Sequence, residues 1–305
     1  MTISFEGKVA IVTGAGNGLG RSHAIELAAR GAKVVINDLG GARDGSGVSS
    51  DAAQEVVRLI TEKGGEAFAH GANVAKFDEV QDMVKQTMEK WGRVDILINN
   101  AGILRDKSFA KMPLEDFQLV VDVHLMGSVN CSKAVWDIMR EQNYGRIVMT
   151  TSSSGMYGNF GQSNYGAAKM AVLGLMNTLV LEGAKNDIRV NALSPTAGTR
   201  MTEDLMPENI LKLLSPEAVT AGALALCDDD APNRFILCAG AGGYASTRLF
   251  ETDGCFIPED QQSPETVREN WSTISDTEQQ FTLDSGALQT QKFLGKAMAF
   301  IQSQQ

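Results

Sequence analysis

The sequence predicts an α/β chain made of a single doubly wound domain, a seven-stranded parallel sheet with helices on both faces, plus a C-terminal extension. Three observations predict it. Short β-branched runs alternate with longer helical patterns, as repeated βα units do. A glycine cluster stands directly between the first run and the first helix pattern. No linker divides residues 1–250 of a 305-residue chain. Common single α/β domains reach roughly 250 residues, so the surplus is placed at the end.

The first run, Val9 to Thr13, is apolar throughout, as a strand buried on both faces should be. A helix follows from about Gly18 to Arg30, with Gly31 as its C-cap, and Lys33 to Asp38 reads as the second strand. Gly40 to Ser49 is glycine-rich and polar, hence a loop. Asp51 to Lys63 reads as a helix, Glu66 to His70 as a weak third strand, and Phe77 to Trp91 as a helix with Val80, Met83, Val84 and Met88 on one face. Ile96 to Ile98 is the fourth strand, Asp116 to Met139 a long helical region, and Arg146 to Thr150 the fifth strand. A helix over Tyr165 to Ala184 and strands at Ile188 to Leu193 and Phe235 to Cys238 complete the set.

The formal charge is −10, from 27 basic and 37 acidic side chains, which argues against a nucleic-acid binder. Of that charge, −6 falls in residues 251–305, an acidic extension on a nearly balanced body. No run of about 18 apolar residues is seen, so no membrane span is expected. Residues Met1 to Lys8 do not read as a signal peptide. Cys131, Cys227, Cys238 and Cys255 form no C-x-x-C pair and read as thiols in a reducing compartment. His23, His70 and His124 form no H-E-x-x-H motif, so no metal site is expected.

Thr13-Gly14-Ala15-Gly16-Asn17-Gly18-Leu19-Gly20 carries the first chemical signal. Glycines let a backbone approach a pyrophosphate closely, and a helix N-terminus offers free N–H groups to it. The G-x-G-x-x-G fingerprint does not fit, because Leu19 stands where a glycine is needed. G-x-x-x-G-x-G at Gly14, Gly18 and Gly20 does fit. Its place after the first strand makes the domain Rossmann-like. Asp38, 18 residues beyond Gly20, can accept bonds from both adenosine ribose hydroxyls and would repel a 2′-phosphate. No arginine occupies Asn37 or Leu39, so NAD is expected over NADP. An aspartate that merely caps the loop, or an NADP site served by Arg43, is the competing reading.

Of the four tyrosines, only Tyr165 has a lysine four residues on, at Lys169, which shares its helix face. An ordinary phenol titrates at about 10, and a nearby cation favours phenolate. Tyr165 is therefore a candidate proton donor and acceptor for an alcohol–ketone pair. Ser152, Ser153 and Ser154 follow the fifth strand, and spacing alone does not choose among them.

Together, the loop at 13–20, Asn99-Asn100-Ala101-Gly102 and Tyr165-x-x-x-Lys169 resemble the short-chain dehydrogenase/reductase family over residues 5 to about 245. The resemblance implies hydride transfer with a nicotinamide cofactor. It implies that Ser152 orients substrate, Tyr165 exchanges the proton, and Lys169 binds the nicotinamide ribose and lowers the tyrosine pKa. The cofactor would be held by Gly14, Asn17, Gly18, Leu19, Gly20, Asp38, Asn73, Val74, Asn99, Ala101, Gly102, Tyr165, Lys169, Pro195 and Thr199. Two positions depart from the family. His124 replaces the usual asparagine that anchors a proton-relay water, and reads either as a relay group or as packing at a subunit contact. Pro195-Thr196-Ala197-Gly198 replaces the usual Pro-Gly.

The strings 37–41, 102–106 and 157–162 resemble the dehydrogenase units of peroxisomal multifunctional enzymes of type 2. That family oxidises (3R)-hydroxyacyl-CoA to 3-ketoacyl-CoA with NAD and includes 17β-hydroxysteroid activity. Without a peroxisomal tripeptide at its end, the chain reads as a stand-alone cytoplasmic enzyme. The apolar segment Met201 to Leu214 reads as a lid over an acyl chain or steroid ring. The family also implies a homodimer or homotetramer. A steroid or other alcohol dehydrogenase is the alternative, and a non-catalytic dinucleotide-binding regulator a third reading.

Overall fold

Strand β1 (Val9–Thr13) is buried at every position, as a strand covered on both faces must be. In a computed structural model describing residues 2–198 and 207–304, it runs through the glycine turn into α1 (Gly18–Ala29). The alternation continues with β2 (Lys33–Asn37), α2 (Asp51–Glu62), β3 (Ala67–His70), α3 (Phe77–Trp91) and β4 (Ile96–Asn99). Then come α4 (Leu114–Val121), α5 (Gly127–Gln142), β5 (Gly145–Thr150), α6 (Ser153–Tyr157), α7 (Ser163–Gly183) and β6 (Ile188–Thr196). Helices α8 (Glu208–Leu211) and α9 (Pro216–Ala225) precede β7 (Ile236–Gly240) and β8 (Gly243–Thr247).

The sheet order is β3-β2-β1-β4-β5-β6-β7-β8. Ile11 aligns with Val35 on one side and Leu97 on the other, both in parallel register. Because the chain turns from β3 back across β1 to β4, a crevice opens at the carboxyl ends of these strands. Apolar layers close both faces. Leu27, Val56 and Val219 pack with Val12, Ile36 and Ile98 on one face. Met83, Val135 and Val172 pack with Ile11, Leu97 and Ile147 on the other. Each such buried side chain is worth about 1.5–3 kcal/mol.

The structure adds to or departs from the sequence reading at four points. The sheet has an eighth strand, β8, joined to β7 by Ala241 and Gly242 alone, both at positive φ. A two-residue connection with that backbone makes a hairpin, so this edge is antiparallel. The long helical region expected over 116–139 runs without interruption from Leu114 to Gln142, but it contains wider turns at Asp122–Met126, where the Gly127 amide donates to the carbonyl of Asp122. The serine-rich turn contains α6, capped by Ser152, whose Oγ accepts from the Ser154 amide. Finally, the segment Ser163–Asn186 is long and apolar enough to cross a membrane by length and composition. It buries Val172, Leu173 and Met176 against the sheet, as a core helix does.

The chain divides into two compact units, Met1–Ser246 and Thr247–Gln305. In the second, β9 (Glu251–Thr252) pairs antiparallel with β10 (Gln280–Phe281), and α10 (Pro264–Glu269), α11 (Trp271–Ile274) and α12 (Gly286–Ser303) complete it. Lys292 pairs with Glu251, and Lys296 with Asp253 at 2.6 Å. None of its described residues is buried. The four cysteines are free thiols, Cys131 and Cys227 buried and Cys238 and Cys255 partly so. Burial pushes the thiols of Cys131 and Cys227 up to about 12.

Candidate active site

The glycine turn is tight because it must pass under the β4 end. Gly14 and Gly18 have positive φ. A Cβ on Gly20 would lie 2.2 Å from the Gly14 carbonyl oxygen and 2.5 Å from Asn100 Nδ2. Asn100 Nδ2 in turn donates to the carbonyls of Thr13 (2.9 Å) and Gly14 (3.1 Å). Thr13 Oγ1 accepts from the amides of Asn100 and Ala101, each at 3.0 Å. Neither side chain was singled out from the sequence as holding the site. The signal available was their place beside motif glycines in T-G and N-N-A-G.

A cavity of about 270 Å³ opens above this turn. It brings together Gly14, Asn17, Gly18, Leu19, Asp38, Asn73, Val74, Ala101, Gly102, His124, Tyr165, Lys169 and Pro195. Gly20, Asn99 and Ser152 do not line it. Gly20 lies beneath the turn, and Asn99 is directed into the protein, its Nδ2 donating to Ser132 Oγ at 3.3 Å. Thr199 lies outside the described residues, as do 201–206 of the expected lid. The remainder of that segment returns to the site's edge, where the Gly198 amide donates to the Leu214 carbonyl at 2.7 Å.

Asp38 sits just past β2, not within it. Its Oδ2 accepts from the Gly16 amide and its Oδ1 from the Gly40 amide, both at 2.7 Å. It therefore does cap the loop, and the same bonds hold its carboxylate on the cavity wall with lone pairs to spare.

On the opposite wall, α7 brings Tyr165 and Lys169 to one face. Ser152 is buried at the β5 end and its hydroxyl hydrogen-bonds the Tyr165 phenol. Lys169 Nζ donates to the Thr150 carbonyl at 2.6 Å and lies 5.6 Å from the Tyr165 ring centroid. Burial pulls the Lys169 ammonium down to about 7. Burial also raises the Tyr165 phenol, and the Ser152 hydrogen bond opposes that rise. The net shift of Tyr165 is upward, opposite to the lowering expected from Lys169; burial is its largest cause and the Asp106 charge adds to it.

His124 occupies the wider turns between α4 and α5 and is 2% exposed. Being interior to the chain, it is no surface residue of a subunit contact. Its ring stands edge-on to Tyr165, centroids 5.1 Å apart. Its Nε2 faces the Ile103 backbone, 2.8 Å from the carbonyl and 3.1 Å from the amide, and its Nδ1 is buried without a partner among the described residues. Burial, then the Lys169 charge, holds it well below the usual histidine range, hence neutral.

The arrangement can hold a dinucleotide along the glycine turn and exchange a proton at Tyr165. The comparisons agree with this chemistry. The short chain dehydrogenase family matches residues 8–209. Peroxisomal multifunctional enzyme type 2 of Mus musculus is 47% identical over 90% of this chain, which spans 37% of that enzyme. A short-chain type dehydrogenase/reductase of Mycobacterium tuberculosis is 47% identical, covering 88% of this chain and 94% of its own length. The solved full-length peroxisomal multifunctional enzyme type 2 from Drosophila melanogaster superposes with a TM-score of 0.81 at 36% identity, over 96% of this chain and 50% of that one. A 7α-hydroxysteroid dehydrogenase complexed with NADH and 7-oxo glycochenodeoxycholic acid superposes with a TM-score of 0.71 at 31% identity, over 79% of this chain and 95% of that one. This chain thus belongs to the short-chain dehydrogenases, oxidoreductases that act on a CH–OH group of a small molecule with a nicotinamide dinucleotide.

Proposed function

We propose that the chain interconverts (3R)-hydroxyacyl-CoA and 3-ketoacyl-CoA with NAD. The observation that carries the chemistry is the meeting of Tyr165 and Lys169 on the cavity that also holds Asp38, with Ser152 hydrogen-bonded to the Tyr165 phenol. The residues fit the cofactor: a Cβ on Gly14, Gly16 or Gly20 would intrude on the turn. The nicotinamide supplies the hydride acceptor when bound. Ser152 holds the reacting oxygen, Tyr165 takes the hydroxyl proton, and Lys169 binds the ribose beside it. His124 presents a neutral, buried ring beside Tyr165. Asp38 supports NAD, since its carboxylate meets ribose hydroxyls and repels a 2′-phosphate.

The acyl-CoA substrate rests on the 47% identity with the mouse enzyme across 90% of this chain. The steroid neighbour keeps a hydroxysteroid as the second reading. Exposed Leu114, Met126, Met170 and Leu181 on α4, α7 and the turns between α4 and α5 support a homodimer or homotetramer. The free cysteines support a reducing, cytoplasmic setting. The catalytic domain in this reading is 1–250, with 251–305 an acidic extension.

The test is a substrate panel read by NADH formation. (3R)-Hydroxyacyl-CoA esters should turn over with NAD preferred to NADP, and Tyr165→Phe should lose about 10²–10⁴-fold in kcat while still binding NADH. Turnover of hydroxysteroids with none of any acyl-CoA transfers the assignment to the second reading. A clear NADP preference overturns the role of Asp38.

A further inference from the structure

The segment between β2 and α2 does not run straight from one to the other. After Asp38 it closes on itself, the Ala42 amide donating to the Ser46 carbonyl at 2.7 Å and the Ser49 amide to the Leu39 carbonyl at 3.2 Å. Gly41, Ala42, Arg43 and Gly45 of this loop line the same cavity as Asp38. Its tip reaches the segment after β4. The Leu104 amide donates to the Arg43 carbonyl at 3.0 Å, and Arg105 Nε donates to the Asp44 carbonyl at 2.9 Å. Gly45, at φ +86°, rests on Ile103, where a Cβ would come within 3.2 Å of the isoleucine side chain. Since β2 and β4 flank β1, this loop passes over the β1 end and its glycine turn.

Arg105 ties the far end down. Its Nη1 donates to Asp116 Oδ1 of α4 at 2.6 Å, and Lys107 reaches Asp116 Oδ2 at 3.0 Å. The Arg105 carbonyl accepts from Asn164 Nδ2 at 3.1 Å. Asn164 is fully buried, and its Oδ1 accepts from the amide of Tyr165 at 2.7 Å. One residue therefore joins the loop, α4 and the start of the helix that carries Tyr165. A guanidinium suits this post, because its rigid fork serves two acceptors in different directions.

We propose that residues 41–47 form a strap that must lift for the dinucleotide to exchange, and that Arg105 is its latch. It is a positioning residue that sets how long the cofactor stays, without touching the reacting atoms. Release steps of this kind limit turnover in many enzymes. The inference rests on the cofactor reading above, which supplies the molecule beneath the strap.

The test measures NADH dissociation by stopped-flow displacement, and hydride transfer in a single turnover, for the wild type and Arg105→Lys. The lysine keeps the charge beside Asp116, which Lys107 also serves, but lacks the second arm directed at the strap. NADH should leave about tenfold faster, equivalent to about 1.4 kcal/mol, with the single-turnover rate and its pH profile unchanged. An unchanged dissociation rate overturns the latch, as does a loss confined to the single-turnover rate. Hydrogen exchange of the wild type is the second measurement. NADH should slow exchange at the Leu104 amide, and equal exchange with and without NADH overturns the strap. Failure of the wild type to bind NADH at all removes the cofactor reading, and the latch with it.

Discussion

His23 and His124 are both interior imidazoles kept neutral by burial, the first lowered to about 3 and the second also well below 6.5. In the unfolded chain each takes up its proton near 6.5. The unfolded state therefore binds more protons as pH falls through that value. The stability these residues allow is complete above pH 6.5 and is lost toward the folded pKa, about 3 for His23. At about pH 5.5 His23 should cost about 1.4 kcal/mol, and His124 acts in the same direction. Urea midpoints measured on either side of pH 6.5 check this, and His23→Gln, which removes the bond between Nδ1 and Thr220 Oγ1, should flatten part of the slope. A slope that does not change with His23→Gln would refute its share. The sequence spoke clearly at this scale where function depends on spacing: Tyr165 and Lys169 are one helical turn apart, and the structure puts both on the cavity wall. It was silent where function depends on burial or distant contact. The direction of the Tyr165 shift comes from desolvation, and Asn100 works by reaching Thr13, 87 positions away.

The turn between β1 and α1 is the element that tolerates least. Gly20→Ala drives a methyl group into the Gly14 carbonyl, which is backbone and cannot swing aside. Overpacking of this kind costs about 1–3 kcal/mol, and the displaced turn should lose NADH binding as well. Thermal melts and NADH titration read the two effects. Gly71→Ala, with nothing within 4 Å of the added carbon, is the control and should match the wild type in both. Unaltered NADH affinity in Gly20→Ala would count against the turn as the pyrophosphate site. Most elements were legible because buried parallel strands and amphipathic helices carry strong periodic patterns. Strand β8 was not: its residues are mostly exposed, and its hairpin turn is Ala-Gly, without the asparagine or aspartate that marks such turns. The wider turns at Asp122–Met126 were equally hidden. Gly127 there presses on Val74, where a Cβ would lie 2.6 Å from the valine methyl, a contact no local pattern announces.

Over the whole molecule, stability is unevenly distributed. The first unit has an apolar layer on each face of its sheet, whereas the second has no buried residue among those described. Opening free energies follow burial. Backbone amides of α10 to α12 should therefore exchange far faster than those of β1, β4 and β5 in native-state hydrogen exchange. Equal protection in both units would contradict this. The acidic stretch 251–305, which carries −6 of the total −10, falls within the second unit. The sequence did not resolve that unit's strands, since two-residue strands and exposed helices leave no run of apolar residues to read.

The same uneven burial sorts the four thiols. With pKa values raised to about 12, Cys131 and Cys227 are thiolate in only about one molecule in 10⁵ at neutral pH, and they lie out of solvent's reach. Cys238 and Cys255 are partly open. An alkylating reagent thus meets two sulfurs on the native chain and four once it has unfolded. The protein carries its own chemical counter of global opening, which mass spectrometry can read without any engineered label.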